Sequence, residues 1–144
     1  MKFLSSLCTT AGLVLLSANS ASAHSPEEIA ARCVETIHKA VERCTTATAA
    51  ETQRCVITIR RLRAAGNERA AHRVARECVE SLTNRMRNCV THIQGHCDRC
   101  VEFLLNIGQP KLARRVDAAC DAAVAKLRDN LNRAKNAIRS ALNS

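Results

Sequence analysis

The sequence has 144 residues, nine cysteines, two phenylalanines, no tryptophan or tyrosine, and a formal net charge of +9. So few aromatic side chains argue against a surface that stacks single-stranded bases, and no recognised sequence-reading nucleic-acid module is evident. The positive charge still implies attraction to anionic surfaces such as lipid headgroups, acidic polysaccharide or nucleic acid.

The first segment, residues 1–23, reads as a cleaved secretory leader. Lys2 precedes an apolar run through Leu13, Val14, Leu15 and Leu16, and Ala21-Ser22-Ala23 supplies a small-residue cleavage site. Cleavage would start the mature chain at His24 and remove Cys8, leaving eight cysteines, an even number, and a charge of +8 once Lys2 is gone. The mature domain, 24–144, carries no stretch apolar enough to span a membrane. An exported small domain with an even cysteine count points to disulfides in the periplasm or extracellular space. The need is physical, because Phe103 is the one aromatic after the leader, and aliphatic burial at roughly 25 cal/mol per Å² supports a small core poorly.

Ser25-Pro26-Glu27-Glu28 predicts a helix start, with a serine N-cap, proline at N1 and glutamate at N3. The apolar stripe Ile29, Cys33, Ile37, Val41, Cys44, Thr48, Cys55, Ile59 and Leu62 follows a helical period. Its cysteines recur every eleven residues, close to three whole turns, so they stay on one face. Arg32-Cys33-Val34, Arg43-Cys44-Thr45 and Arg54-Cys55-Val56 open the repeated blocks, which argues for one continuous helix. A competing reading takes Thr48-Ala49-Ala50-Glu51 as a capping box that divides this arm.

Gly66-Asn67 predicts a helix stop and the next N-cap. The second stripe runs through Val74, Cys78, Leu82, Met86, Cys89, Ile93, Cys97, Cys100, Leu104 and Ile107, with Gly95 as a weak point. Gly108-Gln109-Pro110 is the second turn, and the third stripe is Leu112, Val116, Cys120, Val124, Leu127, Leu131, Ala134 and Ile138, expected to fray towards Ser144. Cys33-Val34-Glu35-Thr36-Ile37 returns as Cys78-Val79-Glu80-Ser81-Leu82, a longer repeat of helix-turn units.

The best turn signal, Gly66-Asn67, lies midway between Cys55 and Cys78, between Cys44 and Cys89, and between Cys33 and Cys100. Gly108-Gln109 lies midway between Cys97 and Cys120. Those four pairs are the predicted disulfides. Cys97 and Cys100, three apart, point about 60° apart around the axis, so one faces each neighbouring helix. The rival connectivity joins Cys44 to Cys55 and Cys89 to Cys100. The paired-cysteine helical hairpin is similar in architecture to the twin C-x9-C proteins, with C-x10-C spacing here, and no family is identified from it.

Several constellations have a chemical reading. Cys97-Asp98-Arg99-Cys100 has C-x-x-C spacing without the strand context of a thioredoxin-like site. His92, His96, Cys97 and Cys100 offer zinc-type ligands, although one helix wraps four ligands around an ion only if Gly95 breaks it. A thiol-lined bundle would suit Cu(I), as in exported copper storage proteins, whose C-x-x-x-C pairs are missing. An amino-terminal His24 would chelate copper only with a further ligand. Arg60, Arg61, Arg63, Arg69, Arg73 and Arg76 flank the Gly66 turn and predict an anion-attracting end. No catalytic residue set is identifiable by spacing.

The sequence therefore predicts an all-α, elongated, antiparallel three-helix bundle stapled by four disulfides. Its expected role is non-enzymatic structural or interaction work at the envelope or outside the cell, with no cofactor. Metal storage in a thiol-rich bundle is the alternative.

Overall fold

The computed structural model describes residues 24–144, and the leader reading and Cys8 lie outside them. Three helices follow one another: α1 (Pro26–Ala64), α2 (Glu68–Asn106) and α3 (Pro110–Asn143). Each packs against the other two, forming the antiparallel bundle expected. The 39 residues of α1 or α2 correspond to a rod about 58 Å long.

Local chemistry sets each boundary. Ser25 Oγ accepts the Glu28 backbone N–H at 3.2 Å, Pro26 occupies N1, and Glu27 and Glu28 complement the positive end of the helix dipole. At the other end of α1, Gly66 N–H donates to Arg63 O and Asn67 N–H to Leu62 O, both at 2.8 Å, with Gly66 at φ +74°. This pattern satisfies carbonyls that a helix terminus leaves open and needs a left-handed residue, which glycine supplies without steric cost. The second turn repeats it with Gly108 at φ +74°, donating to Leu105 O, and Gln109 donating to Leu104 O. Asn67 Oδ1 caps α2 by accepting the Ala70 N–H at 3.2 Å, whereas Gln109 makes no side-chain cap and Pro110 alone pre-sets the start of α3.

α1 is unbroken through Thr48–Glu51, so the divided-arm reading does not hold. Thr48 is buried on the helix stripe, and Glu51 turns across to α2, where its carboxylate accepts from Ser81 Oγ and, at 2.6 Å, from Arg85 Nε. α2 likewise continues through Gly95. α3 runs to Asn143, where Ala141 is fully buried and Leu142 packs on the same core.

The core forms two connected stretches. One gathers Ile37, Val41, Met86, Ile93, Leu104, Val116 and Leu127, and the other gathers Ile59, Leu82, Ala134 and Ile138, with Leu131 packing on both. Among the described residues no aromatic ring contributes to it; Phe103 is 48% exposed. Small buried residues, including Ala30, Ala71, Ala113, Ala134 and Ala141, bring the backbones close. That closeness is what a disulfide between helices requires, since its Cα atoms must lie nearer than ordinary helix axes do.

Candidate functional site

Four disulfides join the helices. Cys33–Cys100, Cys44–Cys89 and Cys55–Cys78 tie α1 to α2, and Cys97–Cys120 ties α2 to α3, with Cα separations of 6.2 to 6.3 Å. These are the pairs centred on the Gly66 and Gly108 turns, and the short-hairpin rival is not formed. α1 and α3 share no disulfide among the described residues; a hydrogen bond from Asn130 Nδ2 to Thr45 Oγ1 at 2.8 Å crosses their interface.

This pairing decides how the cysteine motifs can act. Cys97 faces α3 and Cys100 faces α1, so the C-x-x-C sulfurs are bonded to different partners rather than to each other. Adjacent on the helix, His96 and Cys97 point about 100° apart, and among the described residues the four-ligand set His92, His96, Cys97 and Cys100 does not converge. Instead, His96 Nε2 lies 3.5 Å from Cys100 Sγ, and its potential ligand atom groups with those of Cys33 and Cys100 within 4.8 Å. His92 is exposed beside Cys44, Cys89 and Arg85. His24 Nδ1, on the residue before the N-cap, meets Glu28 Oε2 in the first turn of α1 at 3.0 Å. Sulfurs paired in this way present no array of inward thiolates of the kind metal storage needs.

The six arginines lie on either side of the Gly66 turn, in the last turns of α1 and the first turns of α2. Arg69, Arg73 and Arg76 recur at helical spacing along α2 and are exposed, as are Arg60 and Arg61 at the end of α1. Arg63 is half-buried, pairing with Glu68 through Nε at 3.3 Å and placing Nη1 3.5 Å from Ala141 O. Of the six, Arg63 alone has a carboxylate partner among the described residues.

Antiparallel packing adds residues that the linear sequence does not associate with this turn. The end of α3 runs back to it, so Lys135 and Arg139 join His72 and Arg76 along a groove of about 390 Å³ between α2 and α3. Ala75, Val79, Ile138 and Leu142 supply its apolar lining, and Glu80 is its acidic residue. Arg60 and Arg63 line a second hollow against Ala141 and Ser144 on the α1–α3 side. The signal for Lys135 and Arg139 was available in principle: antiparallel helices of nearly equal length must bring the end of α3 beside the start of α2.

Charged side chains gathered without carboxylate partners keep a positive potential that a paired surface would cancel. Guanidinium groups can hold phosphate, sulfate or carboxylate oxygens in bidentate fashion. The remaining polar cluster, Glu51 with Ser81 and Arg85, is internally satisfied. Hydrogen bonding from Ser81, then from Arg85, holds the Glu51 carboxyl below its ordinary value of 4.5 despite partial burial, which opposes the shift. It braces α1 against α2.

No protein family, curated protein or solved structure matches this chain. None of the described helices is long and apolar enough to cross a membrane. Four disulfides fit an oxidising compartment outside the cytoplasm.

Proposed function

We propose that the protein is an exported, non-enzymatic interaction protein of the periplasm or extracellular space, a stiff rod that presents a basic end to an anionic partner. The observation that carries this reading is the convergence of all three helices on the Gly66 end. Five exposed arginines without carboxylate partners sit there with Lys135 and Arg139 of α3. The disulfide ladder supports the same role, because it fixes those charges on a frame with little conformational freedom to lose on binding. The leader-like segment at residues 1–23 supports export. Among the described residues, the Ser81 hydroxyl and the Glu51 carboxylate, which meet at 2.5 Å, are taken up with Arg85 in a brace between α1 and α2.

The partner is defined by its chemistry, a surface or polymer bearing phosphate, sulfate or carboxylate groups. Direct binding to vesicles of anionic phospholipid, to a sulfated polysaccharide and to duplex DNA, each measured across a salt series, tests the proposal. Binding to at least one, falling with salt and lost in an Arg73→Glu, Arg76→Glu, Arg139→Glu variant that keeps its helicity, is the expected result. Salt-insensitive binding, or full binding by the triple variant, would overturn the assignment of the basic end.

A further inference from the structure

We propose that Cys33, His96 and Cys100 form a redox-gated site for a single zinc-type divalent ion, closed in the oxidised protein and opened when the Cys33–Cys100 bridge is reduced. His96 and Cys100 are four residues apart on α2, a spacing that stacks both side chains on one helix face. Cys33 approaches from α1 with its Cα 6.3 Å from that of Cys100. Ligand atoms of all three residues lie within 4.8 Å of one another.

The His96–Cys100 distance suits the metal, and the two sulfurs move apart once their bond is opened. With Zn–S near 2.3 Å and Zn–N near 2.0 to 2.1 Å, tetrahedral sulfur and nitrogen ligands stand about 3.6 Å apart. His96 Nε2 and Cys100 Sγ are 3.5 Å apart. In the oxidised state Sγ has little to offer an ion, because a disulfide sulfur is neutral and lacks the negative charge that makes a thiolate a strong ligand. That bond is the gate.

Opening it is a balanced exchange. A dithiol reductant gives two electrons and two protons to the Cys33–Cys100 bond, which becomes two thiols while the reductant closes into its own disulfide. Metal binding then displaces both thiol protons, and the Cys33 and Cys100 thiolates join the neutral imidazole of His96, leaving a fourth position open to water. The frame survives this reaction. Cys44–Cys89 still joins α1 to α2 one block away, and Cys97–Cys120 still joins α2 to α3. Loss of one bridge therefore frees ligands without releasing a helix. This separates the site from a storage bundle, which would need all eight sulfurs reduced and would hold several ions.

The test uses limited dithiol treatment of the mature protein, isolation of the species in which only Cys33–Cys100 is open, and titration with Co²⁺ and then Zn²⁺. The expected result is one ion per chain, a thiolate-to-cobalt charge-transfer band, and protection of Cys33 and Cys100 from alkylation. His96→Ala, which leaves every cysteine intact, should weaken Zn²⁺ binding at least tenfold with helicity unchanged, and His92→Ala should leave it unchanged. Unaltered Zn²⁺ affinity in His96→Ala, absence of the cobalt band, or unfolding when that one bridge opens would each overturn the proposal.

Discussion

Removal of the outermost rung by Cys33→Ala with Cys100→Ala tests how the ladder stabilises the rod. Considered alone, this bridge spans a sequence separation of 67 residues, and chain-entropy reasoning assigns such a loop about 4.4 kcal/mol. The bridge does not act alone. With Cys44–Cys89 intact, it closes only the eleven-residue steps from Cys33 to Cys44 and from Cys89 to Cys100. A loop of roughly 22 residues corresponds to about 3.4 kcal/mol. Where Cys44 and Cys89 have also been replaced by alanine, the loop runs back to Cys55–Cys78, about twice as far, and the same removal should cost about 4.0 kcal/mol. Comparing the two backgrounds subtracts the local packing loss at Cys33 and Cys100 and leaves a coupling of about 0.6 kcal/mol. Denaturant unfolding followed by far-ultraviolet circular dichroism measures all four species. A removal cost below about 1 kcal/mol, or a larger cost with Cys44–Cys89 present than without it, would refute nesting as the source of stability.

Three further substitutions probe individual residues. Gly95→Ala should stabilise the bundle by about 1 kcal/mol, because a Cβ there meets nothing nearer than Arg99 Nη1 at 3.5 Å; a melting temperature that fails to rise would show that the glycine is needed. Thr48 is 3% exposed and its Oγ1 has no hydrogen-bond partner among the described residues, so Thr48→Val should also stabilise, by about 1 kcal/mol in equilibrium unfolding. A loss of stability would mean that the hydroxyl is satisfied in solution. Glu51→Gln should cost roughly 1 kcal/mol at neutral pH. Because folding lowers the Glu51 pKa from 4.5, its contribution is complete above that value and disappears as pH falls through the folded pKa. Stability curves of parent and variant should therefore converge in acid, and a constant gap down to the acid transition would contradict the role of the Glu51 charge.

The fold was legible in the sequence because its strongest constraints are local or periodic. Gly66 and Gly108 stand where a left-handed residue must end a helix, and both have φ +74°. The eleven-residue spacing keeps Cys33, Cys44 and Cys55 on one face, so choosing the turn centre also chooses their partners. Ile107 broke the pattern: it continues the α2 stripe in sequence, yet it caps the helix at the rod's end and is 40% exposed.

What depends on the third helix was less legible. The six arginines near Gly66 could be read along the chain, whereas Lys135 and Arg139 enter the same end only through the antiparallel return of α3. Glu51 resembled a capping residue by its neighbours, but its charge is used across helices by Ser81 and Arg85. The sequence grouped His96 with His92, Cys97 and Cys100 as one ligand set. Its sulfur neighbour is Cys100, and behind that Cys33 of α1, because the 60° between Cys97 and Cys100 sends the first towards α3.

The stapled rod is tested most directly by the intact mass of the protein isolated without reductant, before and after reduction, with non-reduced peptide mapping. Four bridges predict a gain of eight hydrogens on reduction and linked peptides for Cys33–Cys100, Cys44–Cys89, Cys55–Cys78 and Cys97–Cys120. An unchanged mass with eight free thiols, or peptides linking Cys44 to Cys55 and Cys89 to Cys100, would contradict it.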